Sequence, residues 1–397
     1  MMTDVFRGGA TAMLILPCDG SADTVGALSC ALAAAVEGTG ETVLPVAAGG
    51  GPPGFDISGP VPTGTAVVVG TSGSTSEPKG VLLSARALRA SAESTHTRLG
   101  GPGRWLLTLP AHHVAGVQVL VRSLLAGAEA VVHDLRQGFR PERFRSAGCR
   151  YTALVPTQIR RLLDAGGPGL AALREFDAVL LGGAGAPEPL LVRAREAGVR
   201  VVTTYGMTET AGGCVYDGVP LAGVRVRIGP PPEGTAGPAA GGPIALGGPT
   251  LASGYLNRPE RTARSFEDGW FRTDDLGRWR EDGRLQVLGR ADDVIVTGGV
   301  KVSPSVVERV LREQPGVGDV CVVGVDDPEW GQIVVAAIAP CEPGEVGREA
   351  VGALKGAVRD RLGRAAAPKD IRIVRALPLR GVGKPDRQAV RRLFSGE

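Results

Sequence analysis

The sequence predicts an α/β fold: a large N-terminal domain of mainly parallel sheets with an added β subdomain, followed by a small, mobile α+β C-terminal domain. Three observations carry this. Between Val117 and Val202 helical stretches alternate with short apolar strands, the pattern of a mainly parallel sheet that binds ligands at the carboxyl ends of its strands. Beyond Val219 the texture changes to short alternating segments with turn residues, the mark of antiparallel strands. A polar loop, Thr71 to Gly80, sits between the apolar runs Ala66–Val69 and Val81–Leu83, where a loop can reach a ligand.

The length of 397 residues suits one large domain and a smaller one. The apolar fraction of 43% with 4% aromatics, 60 glycines and 30 prolines describes a globular chain with a Val, Leu and Ala core and many loops. A net charge of +3, from 44 basic and 41 acidic residues, gives no global field for nucleic acid or an anionic membrane, so neither is expected as a partner. The six cysteines are scattered without CxxC spacing, as reduced thiols of a cytoplasmic protein would be. The apolar patch near the N-terminus is too short and interrupted for a signal peptide, and no run is long enough for membrane insertion.

In chain order, residues 21–37 read as an Ala-rich helix with a Ser/Asp start, and Ala47 to Gly64 as an exposed Gly/Pro-rich connection. In the polar loop, Gly70, Gly73 and Gly80 allow close backbone approach. The hydroxyls of Thr71, Ser72, Ser74 and Thr75 are donors for phosphate oxygens, and Lys79 adds a positive charge. The Pro-Lys-Gly end and the immediate return to an apolar strand favour a phosphate loop over a flexible surface linker, and it is not a Walker loop, because Pro78 and Gly80 stand where that motif needs Gly and Ser or Thr. Ser84 N-caps a helix to Leu99. A strand Trp105–Leu109 delivers His112 and His113 to a turn; a zinc pair lacks further spaced ligands, leaving a functional or a merely hydrogen-bonded histidine.

From Val117 the order is helix to about Leu125, strand Ala130–His133, helix, strand Tyr151–Val155, helix Pro156–Leu163, strand Ala178–Leu181, helix Pro187–Glu196 and strand Val199–Val202. Gly182 to Gly185 and Thr204 to Glu209 fall at strand ends. Strands at Val224–Ile228 and Pro243–Leu246, then a hairpin of Trp270–Gly277 and Arg284–Leu288, make the β region. A helix Ser305–Gln314, strands Asp319–Val323 and Ile333–Ile338, and a helix Arg348–Leu362 form the small domain. The division is placed at 1–290 and 291–397.

Taken in order from about residue 66 to 390, these segments resemble the adenylate-forming superfamily of acyl-CoA synthetases, adenylation domains and luciferases. Each motif alone is weak; their ordered series is specific. The resemblance implies ATP, Mg²⁺ and a thiol acceptor such as coenzyme A. It makes Thr71, Ser72, Gly73, Ser74, Thr75 and Lys79 the phosphate loop, with His113 at the family's histidine turn. Gly182, Gly183 and Ala184 match the adenine-side loop. Tyr205 and Gly206 match the segment whose Tyr stacks on adenine, with Thr208 at the α-phosphate and Glu209 on magnesium. Asp275 and Arg290 match the ribose-binding residues, Asp292 the hinge, and Lys384 the lysine of the first half-reaction.

Ser76 and Asp274 stand where the family usually has glycine, the part before the phosphate loop is short, and Gly298–Val302 match too loosely to assign Lys301. The run Glu209 to Gly218 followed by Pro220–Val224, in a short Ala- and Arg-rich chain, is most similar to the actinobacterial o-succinylbenzoate CoA ligases of menaquinone biosynthesis. That implies a small carboxylic acid substrate activated as acyl-AMP, lined by His113 and the Gly212-Gly213 segment, with a homodimer as the assembly in view. Other aryl or acyl-CoA synthetases, and stand-alone enzymes that load a carrier protein, share the same residues.

Overall fold

The computed structural model describes residues 5–6, 13–50, 53–58, 60–71, 78–231, 241–341, 344–380 and 384–395. The chain divides into two compact units, Met1–Val226 with Leu246–Arg272, and Arg227–Ala245 with Thr273–Glu397.

The first unit begins with β1 (Val5–Phe6), β2 (Met13–Cys18), α1 (Ala22–Glu37), β3 (Thr42–Ala47), β4 (Thr65–Thr71), β5 (Lys79–Ser84) and α2 (Ala85–Leu99). Both helices start as their sequences predict: Ser21 Oγ accepts from the Thr24 amide, and Ser84 Oγ from the Ala87 amide at 3.1 Å. Strands β2, β3 and β4 run parallel, whereas β4 and β5 are antiparallel, with Thr71 opposite Lys79. The polar loop is therefore the connection of a hairpin. Ser72, Gly73, Ser74 and Thr75 lie outside the described residues.

The chain continues through β6 (Trp105–Leu107), α3 (Val114–Leu125), β7 (Val131–Val132), β8 (Tyr151–Leu154), α4 (Pro156–Ala165), α5 (Gly167–Glu175), β9 (Ala178–Leu181), α6 (Glu188–Glu196), β10 (Val201–Met207), β11 (Gly212–Tyr216) and β12 (Val219–Pro220). These strands form one sheet in the order β12-β11-β10-β9-β8-β6-β7, parallel from β7 to β10 as the alternation predicts. Residues 134–150 do not form the expected helix; their one helical element is a 3₁₀ turn, Pro141–Arg143. Left-handed Gly138, Ala147 and Gly148 interrupt any helical run, and Phe144 is instead buried against Phe139 and Phe176. Strands β2 and β3 and helix α5 are additions to the sequence reading; a Gly-Pro-Gly start masked α5.

Next come β13 (Arg225–Ile228), β14 (Gly242–Gly247), β15 (Gly254–Tyr255), α7 (Pro259–Ser265), β16 (Phe266–Glu267), β17 (Trp270–Trp279) and β18 (Leu285–Arg290). The short β15 completes the first sheet, antiparallel to β5 with Tyr255 opposite Val81. Strands β17 and β18 form the expected hairpin, with Asp275 opposite Arg290.

The second unit is completed by β19 (Ile295–Thr297), β20 (Val300–Val302), α8 (Pro304–Arg312), β21 (Val317–Asp327), β22 (Gly331–Pro340), α9 (Val351–Leu362), β23 (Asp370–Ile373), β24 (Leu379–Arg380), β25 (Lys384–Pro385) and α10 (Arg387–Phe394). The period-2 pattern of β21 and β22 decides its layering. Val320, Val322, Val334 and Ala336 face α8 and α9, while Cys321, Val323, Val335 and Ala337 face Val390 of α10. Among the described residues, no helix is long and apolar enough to cross a membrane.

The Ser84 cap gives a first prediction: Ser84→Ala loses about 1 kcal/mol of stability in urea unfolding, and an unchanged midpoint contradicts the capping role.

Candidate active site

Three side chains remote in sequence converge in the first unit. Lys79 opens β5, Glu209 lies in a 3₁₀ turn Thr208–Thr210 at the end of β10, and Tyr255 stands on β15. Lys79 Nζ is 2.7 Å from Glu209 Oε1, with the two side chains only 14% and 8% exposed. Lys79 Nζ also donates to the Tyr255 hydroxyl at 3.0 Å, and that hydroxyl donates to Glu209 Oε1 at 3.0 Å. The ammonium sits 4.2 Å from the Tyr255 ring centroid. Burial first, and the Glu209 charge second, push the Tyr255 hydroxyl well above its ordinary pKa, which fixes it as a proton donor.

Backbone geometry explains why these positions meet. The pairing of β15 on β5 sets Tyr255 beside the Lys79 end of the strand, and the Ala252 amide donates to the Glu209 carbonyl at 2.9 Å. Strands β10 and β11 approach closely at Gly206, where an added Cβ would lie 2.2 Å from the Gly212 carbonyl. Tyr205 and Gly206 therefore belong to a strand that runs on to Met207, with a register shift between them, rather than to a loop. Gly182 directly follows β9, and an added Cβ there would lie 2.2 Å from Thr204 Oγ1; Gly183 is left-handed. Ala184 follows it.

Thr71 Oγ1 reaches the Lys79 carbonyl at 3.4 Å. His113 is the N-cap of α3, and its ring lies 4.4 Å from that of His112. Burial lowers the pKa of His112. Among the described residues, no three His, Cys, Asp or Glu side chains gather as a metal cage. The donor set present suits a different mode of binding. Among the described residues, both partners of the Glu209 carboxylate meet Oε1 and none meets Oε2, and magnesium is commonly held by one or two carboxylates together with substrate phosphates.

The second unit holds the other predicted residues. Arg290 makes a two-pronged contact with Asp292, 2.7 Å to Oδ1 and 2.6 Å to Oδ2, and also reaches Asp274 Oδ2 at 3.1 Å. Asp292, Asp275 and Asp274 hold Arg290 firmly as a cation, with its pKa raised. The Asp275 amide donates to Thr273 Oγ1 at 3.0 Å. Asp274, a departure from the family pattern, thus takes part in this cluster. Lys384 pairs with Arg380 through β25 and β24, and its side chain lies outside the described residues.

An AMP-binding enzyme model matches residues 24–256, and an AMP-binding enzyme C-terminal domain model matches 306–384. The chain belongs to the AMP-binding enzyme family. Within this family, a probable 2-succinylbenzoate–CoA ligase of Mycobacterium tuberculosis is 48% identical over 343 residues, 84% of this chain and 85% of the relative. A 2-succinylbenzoate–CoA ligase of Geobacillus kaustophilus is 34% identical, over 83% of this chain and 69% of its own. The o-succinylbenzoate CoA synthetase of Bacillus subtilis, solved with the acyl-adenylate intermediate, superposes with a TM-score of 0.68 at 30% identity, covering 82% of this chain and 69% of that one. An amide bond synthetase of Marinactinospora thermotolerans reaches 0.76 at 29% identity, covering 96% and 80%.

Sequence reasoning missed Tyr255 at the site and, in the core, the burial of Arg122. Tyr255 follows Glu209 by 46 positions in a segment without a spacing signal; that the chain has only four tyrosines was the available hint. Arg122 is buried on α3, bonded to the Tyr216 hydroxyl at 3.3 Å and stacked 5.0 Å from the Trp105 ring, with Nε unpaired.

Breaking one side of the buried pair leaves the other charge unmet. Glu209→Ala and Lys79→Met should each cost about 3 kcal/mol in chemical denaturation, and the double variant clearly less than the sum. Simple additivity would show that the pair carries no coupling.

Proposed function

We propose that this AMP-binding enzyme activates o-succinylbenzoate as an acyl adenylate, using ATP and magnesium, and passes the acyl group to the thiol of coenzyme A. The named relatives support this reading, and the observation that carries it is the 48% identity, over 84% of this chain, to a probable 2-succinylbenzoate–CoA ligase.

o-Succinylbenzoate carries two carboxylates: one is activated and the other stays ionised. The acid would lie between His113, which caps α3, and the Gly212-Gly213 segment at the start of β11, which α3 approaches through Gln118.

The residues share the work of adenylation. The attacking carboxylate is already ionised at neutral pH, so no general base is required. Lys79 and the phosphate-loop amides bind the departing pyrophosphate, Thr208 the α-phosphate, and Tyr205 with Gly182, Gly183 and Ala184 the adenine. Asp275 and Arg290 hold the ribose. Glu209 Oε2 would hold a magnesium ion, whose charge neutralises the phosphates. Lys384 meets the charge that develops between acid and phosphate. The small domain, taken as 291–397 and turning at Asp292, then withdraws Lys384 for thiol attack. A cytoplasmic homodimer is the working assembly.

Pyrophosphate release tests the substrate. o-Succinylbenzoate should exceed benzoate and medium-chain fatty acids in kcat/KM. Equal turnover of a fatty acid overturns the assignment. Adding coenzyme A, a carrier protein or an amine then identifies the acceptor. Lys384→Ala should lower adenylation by about 100-fold or more yet convert supplied acyl adenylate and coenzyme A at close to the normal rate. Retention of both activities would remove Lys384 from the mechanism.

A further inference from the structure

We propose that Tyr255 is a positioning residue that aims the Glu209 carboxylate at the metal of the bound nucleotide. The inference rests on the assignment of Glu209 made above. Lys79 and Glu209 are each other's counter-ion in this fold, and among the described residues both contacts of the carboxylate converge on one oxygen, Oε1. The assigned task of Lys79 is to bind phosphate, which draws the ammonium away from Oε1. Without another anchor, the carboxylate would then be free to rotate and would present either oxygen to the metal.

The Tyr255 hydroxyl supplies that anchor. It has one proton, and its geometry directs that proton to Glu209 Oε1 while its lone pair accepts from Lys79. When Lys79 departs, the hydrogen bond to Oε1 persists, so Oε2 keeps its direction. Its ring is itself fixed: it meets Phe266 edge-on at 5.6 Å, and β15 pairs its backbone with Val81. A tyrosine at this place thus combines a rigid mount with a hydroxyl donor. A serine would be too short, and a lysine would add a second charge to the pair.

The hydroxyl alone is removed by Tyr255→Phe, which keeps the ring, its edge contact with Phe266 and its face toward Lys79. The readout is ATP affinity by calorimetry, once in EDTA and once in saturating Mg²⁺, on the full chain. In the wild type, metal strengthens binding by some factor. Tyr255→Phe should reduce that factor about tenfold, the scale of one hydrogen bond to a charged group, while metal-free ATP binds no more weakly than before. In parallel, the Mg²⁺ concentration for half-maximal pyrophosphate release should rise about tenfold, with kcat largely recovered at saturation. An unchanged metal factor overturns the inference, and so does an equal loss of affinity with and without metal, which would place the hydroxyl's role on Lys79 or on the fold. Glu209→Gln serves as the reference. If it too keeps the full metal factor, the assignment of Glu209 has failed; if it loses the factor while Tyr255→Phe keeps it, only the positioning role has failed.

Discussion

The buried ion pair between Lys79 and Glu209 is the constraint on which the first unit depends. Two opposite charges stand 2.7 Å apart where little solvent reaches them, and each would be strongly unfavourable alone. The architecture that unites them is economical: a hairpin starts β5 at the lysine, a 3₁₀ turn presents the glutamate, and the two-residue strand β15 adds the tyrosine. Each group is also one that phosphate or a hard cation would bind. A pair that satisfies itself in the folded protein can exchange its partners for those of a metal nucleotide without leaving a charge unmet.

The second unit shows the same economy at its predicted ribose and hinge residues. Arg290 grips Asp292 with two hydrogen bonds, so the residue expected to bind nucleotide also restrains the residue expected to turn. The next residue, Asp293, pairs with Arg387 at 3.1 Å, and Arg387 in turn pairs with buried Glu308 of α8. Arg387 begins α10, separated by one residue from the β25 strand that bears Lys384. Within this unit, the segment following Asp292 and the segment carrying the lysine are thus tied through charged groups.

What the sequence revealed and what it hid have physical reasons. Lys79 and Glu209 were legible because each ends a run whose local chemistry is distinctive: a Gly- and hydroxyl-rich loop, and a Tyr-Gly-Met-Thr-Glu segment after an apolar strand. Helix α2 was legible to the residue because Ser84 is its cap. The ion pair was not, since nothing local states which remote residues a strand order will bring together. Tyr255 depends on β15 reaching β5, a pairing of two residues that no periodicity can announce. Arg122 resembles any arginine on a helix until its burial against Trp105 and Tyr216 is known. The false helix within 134–150 fell to left-handed residues and an aromatic cluster, effects of tertiary packing that outweigh local preference.

The exchange of partners at the central ion pair can be seen directly in a crystal structure of this protein with Mg²⁺ and ATP. The account requires Lys79 Nζ on a phosphate oxygen and more than about 4 Å from Glu209 Oε1, beyond salt-bridge range, with Glu209 Oε2 on the metal and the Tyr255 hydroxyl still on Oε1. Nucleotide bound while the Lys79–Glu209 pair remains closed at 2.7 Å would contradict it.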